Sequence, residues 1–210
     1  MKIDLHTHSV NGSACSRQTI EQIVSDSRER GIDAVCLTDH NNMRGKADAE
    51  RISAETGFPV FVGMETNCTD GDILIFGNVN PSGYPTDVPY TDVRKLIDFA
   101  ACVLIPAHSY RGGPHSNMPE TILEFKNDFA AIEAYSVNMN DTDSRNAVSL
   151  AGKTGLPTVG CSDSHHPGTA GLNYTEFEDD INSVEELVAA LKSGRFKAVR
   201  ADYAWKAQQE

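Results

Sequence analysis

Histidines and carboxylates that could bind metal ions recur along the sequence, each directly after a short apolar run. A His-x-His pair follows the first run, and the others follow later runs in the same way. These residues are His6, His8, Asp39, His40, Glu65, His108, Asp163, His165 and His166. Neutral imidazole and carboxylate are the usual ligands of zinc, iron and manganese. Two such ions held close together can activate water and hold a phosphoryl or carbonyl oxygen at the same time. The pattern therefore indicates metal-assisted chemistry.

The apolar runs alternate with amphipathic helical patterns, and this alternation predicts the fold class. We predict strands at residues 1–5, 33–38, 60–64, 73–76, 103–107, 131–135, 158–161 and 197–200. We predict helices at residues 19–30, 45–56, 92–100, 120–126, 143–153 and 184–191. Nearly continuous apolar strands between helices are typical of an α/β protein whose parallel sheet is covered by helices. Such a sheet is either open and doubly wound or closed as a βα barrel.

A barrel would bring the metal-capable residues together. The carboxyl ends of its strands lie on one face, where their loops converge on one site. The glycine motifs of nucleotide-binding open sheets, G-x-G-x-x-G after the first strand and G-x-x-x-x-G-K-[ST], do not occur in the sequence. We therefore expect these side chains to share metal ions at one rim.

Each candidate also has a plainer interpretation. The alternatives are a turn for His6, His8 and His108, a helix N-cap for Asp163, a solvated strand end for Glu65 and a loop hydrogen bond for His40. Three further residues are not expected to bind metal. They are His115 in the glycine-rich RGGPHS stretch, His166 beside His165, and Glu133, whose carboxylate needs a partner if it is buried.

The composition is that of an ordinary globular protein with an acidic charge balance. We expect one domain at residues 1–203 and a tail at residues 204–210 of the 210-residue chain. The net charge of −12 argues against duplex nucleic acid as a partner, but not against a small anionic substrate. No signal-peptide core or membrane-spanning run is seen, and the five cysteines form no C-x-x-C pair. We therefore expect no membrane partner and a cytoplasmic location.

Five sequence motifs together resemble the PHP family, named after polymerase and histidinol phosphatase. They occur in family order and span almost the whole chain: DLHTHS, LTDHN, GME, AHSYR and GCSDSHHPG. The resemblance implies a distorted βα barrel, usually of seven strands, with up to three divalent ions (Zn, Mn or Fe) at its carboxyl end. It implies that His6, His8, Glu65 and Asp163 bind one ion. It further implies that Glu65 bridges to a second ion with His108, and that His40 and His165 hold a third.

The sequence departs from the family pattern at two places. Many members carry a histidine in the strand after the glutamate motif, where this chain has Leu74. Many also carry an aspartate or histidine a few residues after His-x-His, where this chain has Ser13 and Ala14. The third ion then depends on Cys15 or water as a substitute ligand. We therefore expect one firm metal site and up to two weaker ones.

The resemblance implies hydrolysis of a small phosphoester, such as a nucleotide or sugar phosphate, by metal-activated water. His165, His40 or Asp163 would carry the proton to the leaving group, and Arg111 and Arg17 would bind the phosphate. Three alternatives stay open. One is an amidohydrolase-like metal hydrolase, another is a metal-binding partner domain with impaired catalysis, and the third is a nuclease for mononucleotides or short oligonucleotides.

Overall fold

Strands and helices alternate along the computed structural model, which describes residues 1–113 and 118–201. The strands are β1 (Lys2–Thr7), β2 (Ala34–Leu37), β3 (Val60–Val62), β4 (Met64–Cys68), β5 (Gly71–Gly77), β6 (Cys102–Pro106), β7 (Ile132–Tyr135), β8 (Thr158–Gly160), β9 (Tyr174–Phe177) and β10 (Phe196–Val199). The helices are α1 (Ile20–Glu29), α2 (Lys46–Thr56), α3 (Tyr90–Arg94), α4 (Pro119–Glu124), α5 (Asp141–Thr154) and α6 (Val184–Ser193), with a 3-10 turn at Lys126–Asp128. The predicted α/β class is therefore confirmed.

Within the described residues the strands form three sheets, and only part of their pairing is parallel. The strand orders are β10-β9-β1-β2-β3, β4-β5-β6 and β7-β8. Strands β1, β2 and β3 pair in parallel, as do β7 and β8, whereas β5 is antiparallel to both of its neighbours. Strands β9 and β10 form an antiparallel edge beside β1. The prediction of a wholly parallel sheet is therefore wrong, and the fold is mixed.

A tight hairpin produces the antiparallel part of the fold. The predicted strand at 60–64 divides at Gly63, and β4 then pairs with β5 from Met64↔Ile75 to Cys68↔Gly71. A side chain at Gly63 would collide with β5, since a Cβ there would lie 2.6 Å from the ring of Phe76. Isolated bridges also connect the sheets, linking the segment after β2 to β4, β6 to the segment before β7, and β1 to the segment after β8. The described pairing thus gives three linked sheets rather than one closed sheet.

Two further elements differ from their predictions. The helix predicted at 92–100 has the wrong bounds, since α3 ends at Arg94. The chain then continues in turns, in which the backbone N–H of Leu96 donates to the carbonyl of Val93 and that of Ile97 donates to the carbonyl of Arg94. The carbonyl of Asp98 then accepts from two successive backbone amides and leads the chain into β6. Strand β9 was not predicted, because its half-exposed sequence YTEF lacks a continuous apolar run.

Alternate residues of several strands face a shared apolar core. In β5, Leu74 and Phe76 join this core, whereas Ile73 and Ile75 face a second core built with α3, α4 and α5. A third core lies between β2, β3 and the helices α1 and α2. The shared core takes side chains from all three sheets and is covered at one end by α6. This period of two is what strands between two apolar layers require.

A bulge in β1 turns its histidines toward the face of this shared core. Asp4 pairs with Val35 and Thr7 pairs with Leu37, so three steps along β1 correspond to two steps along β2. Ile3 and Leu5 join the shared core by ordinary alternation, and the extra residue lets His6 follow Leu5 on the same side. The register of β7 shifts in the same way against β8 between Glu133 and Tyr135.

Candidate metal centre

Four side chains from distant parts of the chain meet at the carboxyl end of β1. Their donor atoms are His6 Nε2, His8 Nε2, Glu65 Oε2 and Asp163 Oδ1. The two imidazole nitrogens lie 2.8 Å apart. Each of them lies 3.2–3.4 Å from the carboxylate oxygens of Glu65 and Asp163. All four side chains are at most 1% exposed. Residues separated by more than 150 positions therefore converge on one point.

The donor atoms fit a divalent cation. Ligand atoms about 2.1 Å from a tetrahedrally bound zinc ion lie about 3.4 Å from one another, which matches most of the separations in this cluster. Glu65 Oε2 and Asp163 Oδ1 are buried and make no hydrogen bond of regular geometry, although imidazole nitrogens lie 2.9–3.4 Å from them. Buried, unpaired carboxylate oxygens are costly unless a cation or a donor compensates them. A metal ion bound by these four residues would supply that compensation.

The charges of the cluster shift its titration strongly. Burial lowers the pKa of His6, but the carboxylates of Asp163, Glu65 and Glu133 outweigh this effect and hold the pKa well above its usual value. Burial raises the pKa of Asp163, yet the neighbouring His6, His8 and His108 hold it well below the ordinary range. In the metal-free cluster, the His6 imidazole therefore holds a proton beside carboxylates that stay ionised.

Glu133 holds two of the metal-capable residues in position. Its Oε1 lies 3.3 Å from His6 Nδ1, and its Oε2 accepts a 2.7 Å hydrogen bond from the backbone N–H of His108. A carboxylate on the far nitrogen of a metal-binding imidazole fixes the tautomer and the ring orientation. The sequence suggested only that a buried Glu133 would need a partner, and His6 is that partner.

Two candidate ligands sit on strained backbone. His108 and Asp163 have φ angles of 29° and 50°, in the left-handed region that residues other than glycine seldom adopt. The Asn138 side chain donates to both the backbone carbonyl and Oδ2 of Asp163. Such conformations persist only where surrounding contacts enforce them, and they concentrate at functional sites.

A second cluster lies beside the first around His108. Its Nε2 lies 3.0 Å from Glu65 Oε1, so the two oxygens of Glu65 face different clusters. Leu74, at the usual family place of a histidine, is fully buried and pairs with Glu65 in the hairpin. Two further carboxylate oxygens, Asp72 Oδ2 and Asp163 Oδ2, each lie 3.9 Å from His108 Nε2. Burial and the charge of Glu65 raise the pKa of Asp72 to about 7.

A third cluster consists of stacked histidine rings. The His8 ring centroid lies 4.4 Å from that of His40 and 4.2 Å from that of His165. His40 and His165 are 27% and 17% exposed, so this cluster faces the open side of the site. Burial and the neighbouring His8 lower the pKa of His165 to about 4. Burial lowers the pKa of His40 as well, but the charge of Glu65 raises it to about 11.

The residues at the second family departure have separate surroundings. Ser13 is buried, and its hydroxyl donates to Asp39 and accepts from the backbone N–H of His40. Ala14 and Cys15 are exposed, and the thiol of Cys15 lies near enough to His40 to help raise its pKa. Ser13 therefore holds the loop before His40 in place, while Cys15 lies beside the third cluster.

The two arginines predicted to bind substrate lie differently. Arg111 Nη1 donates a 3.1 Å hydrogen bond to Asp163 Oδ2, and the side chain is 28% exposed. The backbone of Arg17 donates to the carbonyl of His165, but its side chain is exposed. Arg111 therefore faces the metal-capable residues directly, whereas Arg17 lies near them through its backbone. His166 is exposed, and His115 lies outside the described residues.

The fold and site together define an α/β protein whose metal-capable histidines and carboxylates meet at strand ends. Residues 4–151 match the model of the PHP domain, and residues 142–196 match a model described as PHP-associated. The first match covers more than half of the chain. The chain therefore belongs to the PHP family, as its motifs predicted.

Relatives of this chain span several kinds of protein. An uncharacterized protein of Methanocaldococcus jannaschii is 30% identical over 121 residues, which cover 52% of this chain and 68% of that protein. An error-prone DNA polymerase of Symbiobacterium thermophilum is 28% identical over 82 residues. Those residues are 39% of this chain and only 8% of the polymerase. The polymerase match therefore concerns a small part of a much longer protein.

Solved structures share the fold at low sequence identity. A two-domain protein of Bacteroides vulgatus that contains a predicted PHP-like metal-dependent phosphoesterase aligns with a TM-score of 0.70 at 19% identity, over 96% of this chain and 65% of its own. A candidate metal-dependent phosphoesterase of Bifidobacterium adolescentis gives 0.65 at 15% identity, over 90% and 95%. An amidohydrolase of Chromobacterium violaceum gives 0.61 at 18% identity, over 94% and 98%. These likenesses show the fold.

In the part of the chain that is described, none of the helices is long and apolar enough to span a bilayer.

Proposed function

We propose that this protein is a metal-dependent hydrolase that cleaves a small phosphoester. The observation that carries the proposal is the convergence of four donor atoms, from His6, His8, Glu65 and Asp163, at separations of 2.8–3.4 Å. Bound divalent ions, such as Zn²⁺, Mn²⁺ or Fe²⁺, lower the pKa of water and neutralise charge on phosphoryl oxygens. Membership of the PHP family supports this chemistry.

Arg111 is our candidate for binding the substrate phosphate. Its guanidinium already bonds one carboxylate oxygen beside the metal-capable cluster, and it is partly open to solvent. A guanidinium presents a planar fork of donors that matches phosphate oxygens. Because the chain carries a net charge of −12, a local cation is needed to attract an anionic substrate. Arg17, whose exposed side chain starts close to His165, is a second candidate.

Proton transfer to the leaving group falls to the partly exposed histidines in this proposal. Hydrolysis adds water across the P–O ester bond, so the departing oxygen must gain a proton. His40 and His165 lie on the open side of the cluster, where a leaving group could reach them. Asp163 is almost fully buried and accepts hydrogen bonds from Arg111 and Asn138. We therefore assign it to metal binding rather than to proton transfer.

Hydrolysis of a cyclic amide or lactone is the second candidate activity. It is favoured by the His-x-His pair and the late aspartate, which amidohydrolases also use, and the amidohydrolase of Chromobacterium violaceum shares the fold. The partly exposed guanidinium of Arg111, which bonds Asp163 beside the cluster, favours the phosphoester instead. Both activities need the same cations, so only substrate tests separate them.

A metal-supplemented substrate screen tests the proposal. The protein is purified without chelator, its metal content is measured, and p-nitrophenyl phosphates and a panel of phosphomonoesters, phosphodiesters and nucleotides are compared with cyclic amides and lactones in the presence of Mn²⁺. We expect bound metal and phosphoester turnover that Asp163→Asn abolishes. A folded protein that binds neither Mn²⁺ nor Zn²⁺ would remove the proposal, and turnover of amides or lactones alone would favour the second activity.

The barrel, the domain bounds, and the location and partners of the protein also stay proposals. A distorted seven-stranded barrel is supported by the shared core, which takes side chains from all three described sheets. The family models at residues 4–151 and 142–196 support one functional unit over residues 1–203. A cytoplasmic location, and the absence of duplex nucleic acid and membrane among its partners, rest on composition alone.

A further inference from the structure

The hydroxyl of Ser13 lies beside the far nitrogen of the His8 ring, the one that does not face the first metal cluster. His8 Nδ1 is 3.2 Å from Ser13 Oγ. The other nitrogen of the same ring, Nε2, is the atom that meets His6, Glu65 and Asp163. His8 is fully buried and Ser13 is 1% exposed. The contact therefore joins a buried hydroxyl to the back of a candidate metal ligand.

Asp39 determines where the proton of the Ser13 hydroxyl lies. Its Oδ1 is 2.7 Å from Ser13 Oγ, and a carboxylate can only accept hydrogen bonds. The same carboxylate is held in place by Ser9, whose backbone N–H donates to Oδ1 at 2.7 Å and whose hydroxyl donates to Oδ2 at 2.8 Å. A hydroxyl has one proton to donate. Ser13 therefore gives its proton to Asp39 and can only accept from its other partners.

The two remaining bonds of the Ser13 oxygen determine the tautomer of His8. The backbone N–H of His40 donates to this oxygen at 3.1 Å and uses one of its two lone pairs. The second lone pair is left for His8, so the proton of the His8 ring lies on Nδ1. A neutral imidazole protonated at Nδ1 has its free lone pair on Nε2, the nitrogen that faces the cluster. The Ser13 oxygen then keeps no lone pair for an ion of its own.

We infer that Ser13 is a positioning residue which, with Asp39 behind it, holds His8 in the tautomer that binds metal. The inference rests on the proposed metal-dependent function. Both histidines of the His-x-His pair are then oriented by a carboxylate. Glu133 acts on His6 directly, whereas Asp39 acts on His8 through a hydroxyl. Many family members carry a ligand of a third ion near position 13, and in this chain the same place serves the first ion.

Removal of the hydroxyl tests this inference. The full-length protein is made metal-free, and Zn²⁺ binding is measured by competition with a chelator. We expect Ser13→Ala to bind its tightest Zn²⁺ ion about 10-fold more weakly than the wild type. Ser13→Thr keeps the hydroxyl and should recover most of that loss.

Ser16 provides the matched control. It is a buried serine of the same loop, and its hydroxyl donates to the backbone carbonyl of His8 rather than to the ring. Ser16→Ala therefore removes a buried hydrogen bond from the loop without touching the His8 imidazole, and it should bind Zn²⁺ like the wild type. Circular dichroism of each variant establishes that it is folded before metal is added.

The proton on His8 Nδ1 gives a readout that a general loosening of the loop does not reproduce. In ¹⁵N-labelled, zinc-loaded protein, two-bond ¹H–¹⁵N correlations within the ring identify its nitrogens. We expect the Nδ1 proton of the wild type to give a downfield, slowly exchanging resonance, because it is buried and hydrogen-bonded. This resonance should shift upfield and exchange faster in Ser13→Ala, and it should be unchanged in Ser16→Ala.

The outcomes separate this inference from the proposed function. Wild-type Zn²⁺ affinity with an unchanged His8 resonance in Ser13→Ala overturns the inference and leaves the metal-dependent function standing. Equal losses of affinity in Ser13→Ala and Ser16→Ala also overturn it. Weaker binding with an altered resonance in Ser13→Ala only, recovered in Ser13→Thr, supports it.

A wild-type protein that binds no metal removes the proposed function, and the tautomer of His8 is then measured in the metal-free protein at a pH where the ring is neutral. A proton on Nε2 overturns the inference about Ser13. A proton on Nδ1 that Ser13→Ala no longer holds there supports it.

Discussion

At the scale of single residues, the site depends on side chains that orient others as well as on those that face the ion. Glu133 bonds the far nitrogen of His6 and the backbone of His108, so one carboxylate serves both metal clusters. Asn138 and Arg111 hold Asp163 in a similar way. Partners of this kind fix ligand geometry, and their loss lowers metal affinity without removing a ligand.

The variant Glu133→Gln tests this positioning role. The amide nitrogen of glutamine cannot accept from His6 or His108, so we expect metal affinity about 10-fold to 100-fold weaker than in the wild type, as measured by competition with a chelator. Exposed Glu120 on α4 provides a control, and Glu120→Gln should bind metal normally. Wild-type affinity in Glu133→Gln would show that the ligands are held by packing alone.

Arg111 offers a second test at this scale. A charge-assisted hydrogen bond contributes about 1.5–3 kcal/mol. We therefore expect Arg111→Ala to raise the KM for a phosphorylated substrate about 10-fold to 100-fold at saturating metal, with a smaller effect on kcat. Arg111→Lys keeps the charge but not the planar fork of donors, so its KM should lie between those of the wild type and Arg111→Ala. No change in KM or kcat in Arg111→Ala would remove it from the substrate site.

At the scale of elements, the sequence predicted most strands and the parallel direction of some of them. Apolar runs such as residues 33–38 and 103–107 were informative because both of their faces meet apolar layers. For the same reason they could not reveal direction, since a strand buried on both faces reads alike whether its neighbours are parallel or antiparallel. The hairpin of β4 and β5 was therefore missed.

The same physical limit explains which site residues were found. The metal-capable residues were recognisable because each follows an apolar run, and the family resemblance supplied their grouping around ions. Nothing in the sequence placed Asp72 near His108, because Asp72 opens a strand rather than following one. The bulge that turns His6 inward leaves no mark in the sequence, because it depends on pairing with β2.

Helix α5 provides a prediction about stability alone. Asn140 caps its first turn in a reciprocal capping box with Asp143, so Asn140→Ala should lower the free energy of unfolding by about 1 kcal/mol. Gly152 lies on the exposed side of the same helix with open space around it, so Gly152→Ala should raise it by up to about 1 kcal/mol. Urea denaturation measures both. A loss of stability in Gly152→Ala would contradict the helical account of this position.

At the scale of the whole molecule, the metal site joins the ends of the fold. Its donors come from β1, from β4, and from segments after β2, β6 and β8, so most of the described chain must be folded before the donors meet. Unfolded chains do not preserve such a site, and metal that binds only the folded state stabilises it by mass action. Binding and folding are therefore coupled in this protein.

Protons compete with this coupling, and the direction follows from the shifted pKa values. The carboxylates raise the pKa of His6, His40 and His108, so these imidazoles hold protons in the metal-free folded state as the pH rises through neutrality. The stability from those charged pairs is present at low pH and is lost as pH rises through the raised pKa values. Metal requires neutral imidazoles, so its stabilising effect must grow in the opposite direction, as the pH rises through the raised pKa values of these imidazoles.

Thermal unfolding with and without metal tests both statements. At a free metal concentration 100 times the dissociation constant we expect about 2.7 kcal/mol of added stability, which raises Tm by roughly 5–10 °C for a chain of this length. Chelator should reverse the metal-induced increase in Tm, and this increase should become smaller as the pH falls. Asp163→Asn should show little response to metal, whereas Asn140→Ala should start from a lower Tm and gain the same increment. An equal metal-induced shift in Asp163→Asn and the wild type would mean that the stabilising ion binds elsewhere.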